Sequence, residues 1–544
     1  MYDGELEIHL TVDSPGADRL DGFAAQHGIK VSHIELDHGR HRAQPMLTVM
    51  VRGSLEDGRR RAEQVREQLA EARIATVRVK IEAVPWNDDV PVSDDDAPAG
   101  LHFEHHVKLR LPADDLLRRV ELSGLAREHG ARVSRNARRK RTDASEERFV
   151  TQRCFGVGRT TARGRLDGLL ADLAKDGFEV LEVEEEYVVV DDNLPLDAGW
   201  MDHRPQDAGP VEPVAASVAT AWTDQQMRYR LADGRSGFPA TFEPPATGDA
   251  VIQHAVFEPA HKEFTNAYKA GQPVFHDPAH TEAWGSARDN ALAHVMRTLA
   301  ASPWADCFVL RGSVTLPVWL GDAARAPGDI DVVVVPRTIG AEDPTAVAML
   351  DGLLTLLTAD PGPGLRASDA ARESIWTYER AEGRRIVVPY DVDGFPAGDG
   401  MPVGSVQVDF VFGEELLADP VVRAVPPSGV EMLVAPPDLQ LAWKIQWLVT
   451  DMYPQGRDLY DAVLLADVAD LSWDLLTEVL GAVEDPWWDE LLQAFTAANL
   501  LGLEVDWENF RSEHPDVAED PRVLVERLVL AVHRVEKRHG RGAP

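Results

Sequence analysis

The first 200 residues repeat themselves, and this duplication constrains the fold more than any other feature of the chain. Ala25-Gln26-His27-Gly28-Ile29-Lys30-Val31-Ser32 returns as Arg127-Glu128-His129-Gly130-Ala131-Arg132-Val133-Ser134. An alternating apolar and polar stretch lies upstream of each copy, Glu7–Val12 and His105–Leu111, as a half-buried strand requires. Downstream come a second strand and then a helix with a closing strand: Arg61–Ala72 with Thr76–Ile81, and Gly164–Lys175 with Glu179–Val190. Each copy therefore reads β-α-β-β-α-β, and the pattern predicts two ferredoxin-like modules at 1–88 and 100–198. The acidic, Pro-containing Pro91–Ala99 is the expected linker.

The rest of the chain reads differently. Residues 199–254 are rich in Pro, Gly, Asp and Ala with little periodicity and are expected to connect domains. Residues 255–430 alternate helices with buried strands, and 431–544 are almost wholly helical. Expected elements include a helix at Thr281–Ala300, strands at Cys307–Arg311, Asp329–Val335, Arg385–Asp391 and Ser405–Phe412, and a helix at Ala346–Thr358. The expected C-terminal helices are Pro437–Thr450, Asp458–Ala466, Trp473–Val483, Trp487–Ala498 and Arg522–Lys537. The fold class is α+β: two N-terminal modules, a mixed sheet and a helical C-terminal domain.

At 44% hydrophobic the chain can bury substantial cores, yet no run of some 18 apolar residues suggests a membrane span. The N-terminus lacks the basic and apolar regions of a signal peptide. Cys154 and Cys307 are too few and too far apart for a disulfide framework or a zinc knuckle. A cytoplasmic protein is the expectation. The net charge of −36 makes the average surface repel nucleic acid, without excluding a local basic groove.

The strongest chemical signal is Gly328-Asp329-Ile330-Asp331-Val332-Val333. Two acids one residue apart on a strand point to the same side. Nucleotidyl transfer requires magnesium to bridge phosphate oxygens, and magnesium prefers carboxylate oxygen. A two-metal site needs a third acid on a neighbouring strand. Asp409, alone in the apolar run Val406–Phe412, fits; Asp391 and Asp393 are rivals at a strand end. Gly312 and Ser313 follow an apolar strand and open a helix-like segment, where backbone N–H groups can approach phosphate. Arg311 and Arg325 lie close enough in sequence to meet phosphates, and either fits a solvated surface equally well.

The pattern of apolar-Gly-Ser, Asp-apolar-Asp and a later strand aspartate resembles the polymerase-β-type nucleotidyltransferase superfamily. Within it, about residues 255–470 are similar to the AbiEii/AbiGii-type abortive-infection nucleotidyltransferase toxins. Arg325-Ala326-Pro327-Gly328-Asp329 is similar to that family's arginine-containing run into its acid pair, as are Lys444 and the later Arg457-Asp458-Leu459-Tyr460-Asp461. The family commonly has Gly-Gly or Gly-Gly-Thr where this chain has Arg311-Gly312-Ser313, and often lysine at the Arg457 position; the donor base stays open. The resemblance implies a Mg2+-dependent enzyme moving a nucleoside monophosphate from a nucleoside triphosphate to a hydroxyl. Asp329, Asp331 and Asp409 would bind metal, and Gly312, Ser313 and Lys444 would hold the triphosphate, with Asp458 and Asp461 supporting the site. It also implies an RNA acceptor such as a tRNA 3′ end, a role in phage defence, and an antitoxin partner or autoinhibition. Two alternatives stand beside it: transfer to a protein or small molecule, and a regulatory protein whose site is silent.

The N-terminal half resembles no family. Arg132, Arg135, Arg138, Arg139, Lys140 and Arg141 form a run without an acid, suited either to phosphate contacts or to a hairpin tip. Histidines are dense: His9, His33, His38, His41, His102, His105 and His106. His38 and His41, beside Glu35 and Asp37, are the candidates for a metal or phosphate site, against the plainer expectation of sheet and surface histidines.

Overall fold

The computed structural model describes residues 2–13, 17–39, 41–113, 115–137, 145–201, 251–252, 274–377, 381–392, 404–451, 453–482 and 495–540. The chain divides into two compact units, Met1–Glu212 and Pro213–Pro544.

The first unit realises the duplicated order. Its elements are β1 (Asp3–Val12), α1 (Ala17–His27), β2 (Lys30–Leu36), β3 (Ala43–Ser54), α2 (Leu55–Glu71) and β4 (Thr76–Ala83). The second copy follows as β5 (His102–Pro112), α3 (Leu116–Glu128), β6 (Ala131–Asn136), β7 (Ser145–Phe155), α4 (Arg159–Lys175) and β8 (Glu179–Asp191). Within each copy the strands lie in the order last, first, third, second. The copies are not separate sheets, however. β2 pairs with β6 and β4 with β8, so all eight strands close one antiparallel barrel. Closure leaves neither copy a free edge strand. Alternation sets the two faces: Leu6, Ile8 and Leu10 of β1 join Val65 and Leu69 of α2 in one apolar core. A matching core joins β5 and β7 to α3 and α4 through Val107, Leu109, Leu125, Val150 and Leu169.

The expected linker is built into this unit. Asp94 accepts hydrogen bonds from the Gly158 N–H at 2.8 Å and the Thr161 hydroxyl at 3.0 Å, capping α4, whose own N-cap is the glycine. Only glycine fits at 158, because a Cβ there would stand 2.4 Å from the Ser93 carbonyl carbon. Most of the expected connection at 199–254 lies outside the described residues, as do Arg138, Arg139, Lys140 and Arg141.

Among the described residues, the second unit begins with the short pair β9 (Val251–Ile252) and β10 (Val274–Phe275) and the helix α5 (Pro278–Ala301). Then come β11 (Phe308–Arg311), α6 (Leu316–Leu320), β12 (Ile330–Val334), α7 (Pro344–Ala359), β13 (Ala371–Thr377), β14 (Ala381–Tyr390) and β15 (Gly404–Val411). Two short strands, β16 (Val421–Val425) and β17 (Val430–Val434), precede the helices α8 (Pro437–Thr450), α9 (Gly456–Ala466), α10 (Trp473–Gly481), α11 (Trp507–Glu513) and α12 (Pro521–Arg538). The sheet order is β13-β14-β15-β12-β11-β17-β16, so β12 is flanked by β11 and β15. Leu292, Val295 and Met296 of α5 and Met349, Leu353 and Leu357 of α7 share its core with Leu310, Val332, Val408 and Phe410. β13, β16, β17 and α11 were not expected from the sequence; at five to seven residues each, their periodicity is too short to read. Most of the expected helix Trp487–Ala498 lies outside the described residues.

Candidate active site

The site assembles where β11, β12 and β15 run side by side. Arg311 pairs with Asp331 across the antiparallel β11–β12 ladder, and Asp331 with Asp409 across the parallel β12–β15 ladder. Asp329 lies just before β12 on the same side as Asp331. Carboxylate oxygens of Asp329, Asp331 and Asp409 all fall within 4.8 Å of one another.

The turn after β11 shapes this pocket. Gly312 adopts φ +70°, the left-handed region that favours glycine. A Cβ there would stand 2.3 Å from Asp331 Oδ2, so the glycine is what lets the carboxylate sit against the turn. The Ser313 hydroxyl donates to Asp329 Oδ1 and accepts from the Gly328 N–H, both at 3.2 Å, clipping the loop that carries the acid pair. The Thr315 hydroxyl lies 2.8 Å from the Gly312 carbonyl and 2.7 Å from Gln440 Oε1, its single proton serving one or the other, which ties the turn to α8.

Two residues not foreseen from the sequence hold Asp409. Arg385 of β14 grips it bidentately, Nε to Oδ1 at 2.8 Å and Nη2 to Oδ2 at 2.7 Å, and Gln407 donates to Oδ2 at 2.9 Å. Arg385 stands directly across from Asp409 in the β14–β15 hairpin. The register of that hairpin depends on a long connection whose length does not determine pairing. Burial pushes the Asp331 carboxyl well above its usual range, reinforced by the charges of Asp329 and Asp409. Burial also raises Asp409, against the pull of Arg385.

The expected cations ring the pocket, each committed to another acid. Arg311 bonds Glu414 at 2.7 Å and lies over the rings of Trp443 and Trp447. Arg325 grips Asp461 with two bonds of 2.8 Å. Lys444 sits 2.6 Å from Asp458 and 3.1 Å from Asp461. Asp461 is fully buried; burial would raise it, but Arg325 and Lys444 outweigh that and hold it at about 2. This network ties α8 and α9 to the loop before β12 through Arg325. Of the rival acids, Asp391 is exposed and pairs with Arg366, and it does not join the cluster; Asp393 lies outside the described residues.

Residues 294–526 match the family model described as "Nucleotidyl transferase AbiEii toxin, Type IV TA system". This AbiEii match starts inside α5 and runs into α12, so it takes in the sheet, the three acids and the helical bundle. It begins later and ends later than the stretch that carries the resemblance in the sequence. The matched family is one of nucleotidyl transferase toxins of type IV toxin–antitoxin systems. No curated protein matches the chain. Among solved structures, the acetolactate synthase small subunit from Thermotoga maritima is similar at 17% identity, covering 34% of this chain and 95% of that chain, with a TM-score of 0.15. A likeness at that score carries no argument. No helix among the described residues is long and apolar enough to cross a membrane.

Proposed function

We propose that the second unit is a magnesium-dependent nucleotidyltransferase, moving a nucleoside monophosphate from a triphosphate onto a hydroxyl with release of pyrophosphate. The observation that carries this reading is the convergence of Asp329, Asp331 and Asp409 within 4.8 Å, inside the region matching AbiEii. The donor set suits a hard divalent cation, which prefers carboxylate oxygen. A carboxylate offers about four acceptor positions. Arg385 and Gln407 use three on Asp409, so one remains for metal. Bound at these acids, magnesium would neutralise phosphate charge and make the attacking hydroxyl easier to deprotonate.

The chain's own residues set the geometry. Ser313 and Gly312 hold Asp329 and Asp331 against the turn, and the N–H groups of that turn are the proposed cradle for the triphosphate. Lys444 has three donors, two of them used by Asp458 and Asp461, leaving one for a phosphate oxygen. Arg311 and Arg325 add positive potential behind the acids. In the first unit, the strand order within each copy supports the reading of two ferredoxin-like modules fused through both edges.

The proposed acceptor is RNA, such as a tRNA 3′ end, the outcome growth arrest in phage defence, and the controlling partner an antitoxin. The net charge of −36 favours a second reading in which the acceptor is a protein or a small molecule. Incubation with each of four α-labelled triphosphates, Mg2+ and total cellular RNA separates these readings, beside an Asp329→Ala/Asp331→Ala control. Label on RNA with the wild type alone supports RNA as acceptor, and label on protein supports the second reading. No label on RNA, protein or small molecules removes the enzymatic assignment.

A further inference from the structure

The two copies of the first unit place the same donors on the inner face of the barrel. Leu6, Ile8 and Leu10 face the helices, so Glu7 and His9 of β1 face the opposite way, into the closed sheet. His9 stands across from Thr48 of β3, and His106 of β5 across from Thr151 of β7. In both copies the threonine hydroxyl meets ring Nδ1, at 3.2 Å for His9 and 3.0 Å for His106. Each Nε2 is thereby aimed into the barrel. A glutamate precedes each histidine by two residues, Glu7 and Glu104, and the closing strands contribute Glu82 and Glu186. The donor atoms gather as Glu7, His9 and Glu186, and as Glu82, Glu104 and His106, each set within 4.8 Å. Each set joins the Glu-x-His strand of one copy to the closing-strand glutamate of the other.

The twins differ in the cations around them: Arg153 donates to Glu104 at 2.9 Å, where the first copy has Met50 at the corresponding position. Lys80 lies two residues before Glu82, where the second copy has Glu184 before Glu186. The Lys80 ammonium sits 2.6 Å from Glu82 and 3.1 Å from Glu104, so that set holds its own cation. The other set has no such lysine. Glu186 Oε2 is buried and accepts no hydrogen bond, with His106 Nε2 standing off at 3.5 Å. His9 Nε2 lies 3.6 Å from Glu7 and 2.9 Å from Glu82. The carboxylates of this set are also the more accessible: Glu7 and Glu186 are 26% and 15% exposed, against 1% and 2% for Glu82 and Glu104, while His9 and His106 are similar at 15% and 22%.

We propose that Glu7, His9 and Glu186 bind one divalent first-row transition-metal ion, while the Lys80 ammonium fills the twin position. One imidazole nitrogen with two carboxylates on rigid strands suits Zn2+ or Mn2+, and the imidazole is a poor fit for magnesium. The threonine on Nδ1 is the outer-shell contact that fixes a ligating ring. The ion links β1 of one copy to β8 of the other. His38 and His41, the candidates by sequence, join no group of three ligating side chains among the described residues.

The test uses the full-length chain carrying Asp329→Asn and Asp331→Asn, so that the acids of the second unit do not contribute. The metal-stripped protein is titrated with Zn2+ by calorimetry and, separately, with Co2+ by visible absorption. The expected result is one Zn2+ per chain, with affinity at least about 10-fold weaker in Glu186→Gln or His9→Gln and about 10-fold weaker in Thr48→Val. Removing both cations of the twin set in Lys80→Met/Arg153→Met should raise the stoichiometry to two; a folded double variant still at one overturns the role given to these cations. Binding as tight in folded Glu186→Gln as in its parent overturns the site. If that variant does not fold, the parent decides: absence of Co2+ bands and of stoichiometric Zn2+ binding overturns it equally.

Discussion

Replacing Gly312 by alanine tests whether the acid pair depends on the turn beneath it. The residue sits at φ +70°, where an L side chain costs about 1–2 kcal/mol. The new Cβ would also stand 2.3 Å from Asp331 Oδ2, closer than real contacts allow, and a tight 3.2 Å from its Cγ. The loss of stability is small for a unit of this size and should lower Tm by only a few degrees. The effect on the site is larger, because the Asp331 carboxylate must retreat by roughly an ångström, and a misplacement of that size costs about 100-fold in rate. The assays are labelled-nucleotide transfer and the rise in Tm on adding Mg2+, for wild type and Gly312→Ala. The expected outcome is a near-normal Tm without metal, a much smaller metal-induced rise, and a kcat/KM reduced about 100-fold. A variant within about threefold of wild type in kcat/KM, with an undiminished metal response, would refute the coupling between turn and carboxylate.

Other perturbations probe the frame. Asp461→Asn leaves Arg325 and Lys444 short of their buried partner and should cost about 3–5 kcal/mol, read as a lower denaturant midpoint for the second unit. The same residue predicts a pH dependence. Its carboxyl is held at about 2 in the fold against 3.8 when unfolded, so between those values the unfolded chain binds more protons. The stabilisation, about 2 kcal/mol, is present above pH 4 and is lost as pH falls towards 2. The gap in midpoint between wild type and Asp461→Asn should therefore shrink over that window, and a gap independent of pH would sink the assignment. In the first unit, Gly158→Ala drives a Cβ into the Ser93 backbone and should cost about 1–3 kcal/mol, measured by denaturant unfolding.

How much of this was legible in the sequence follows from the range of each signal. Asp329 and Asp331 are two residues apart, and alternation alone puts them on one face. Asp409 could be found because it is a lone acid in an apolar strand. Arg385 could not, because its relation to Asp409 is a matter of register across a long connection. The partners of Lys444 and Arg325 were visible as a motif, yet their commitment to Asp458 and Asp461 depends on how α8 packs on α9. The duplication gave the order of elements in the first unit but not the closure of its barrel, which rests on edge pairs such as Glu35 with Arg135, 100 residues apart in sequence. Nothing in the sequence sets His9 and His106 apart from the other histidines, since Thr48, Thr151, Glu82 and Glu186 lie on other strands. His38 and His41 stand out in the sequence only through their closeness to each other and to Glu35 and Asp37.

The acids of the second unit are arranged for an occupant at the expense of the unoccupied fold. Arg311, Arg325, Arg385 and Lys444 all lie nearby, yet each is bound to Glu414, Asp461, Asp409 or Asp458. No ion pair among the described residues reaches Asp329 or Asp331, and Asp331 is crowded by two like charges in a buried setting. Removing one of those charges should relieve the repulsion, as expected where a site trades stability for function. Asp331→Asn is therefore expected to raise the unfolding temperature of the protein in chelator. In Mg2+ the order should reverse, because wild type gains about 2.7 kcal/mol at a hundredfold excess over Kd while the variant gains little. Differential scanning calorimetry in chelator and across a magnesium series reads both effects. A variant less stable than wild type in chelator would show that the Asp331 carboxylate is a structural acid with a favourable environment, and the metal assignment would lose its electrostatic basis.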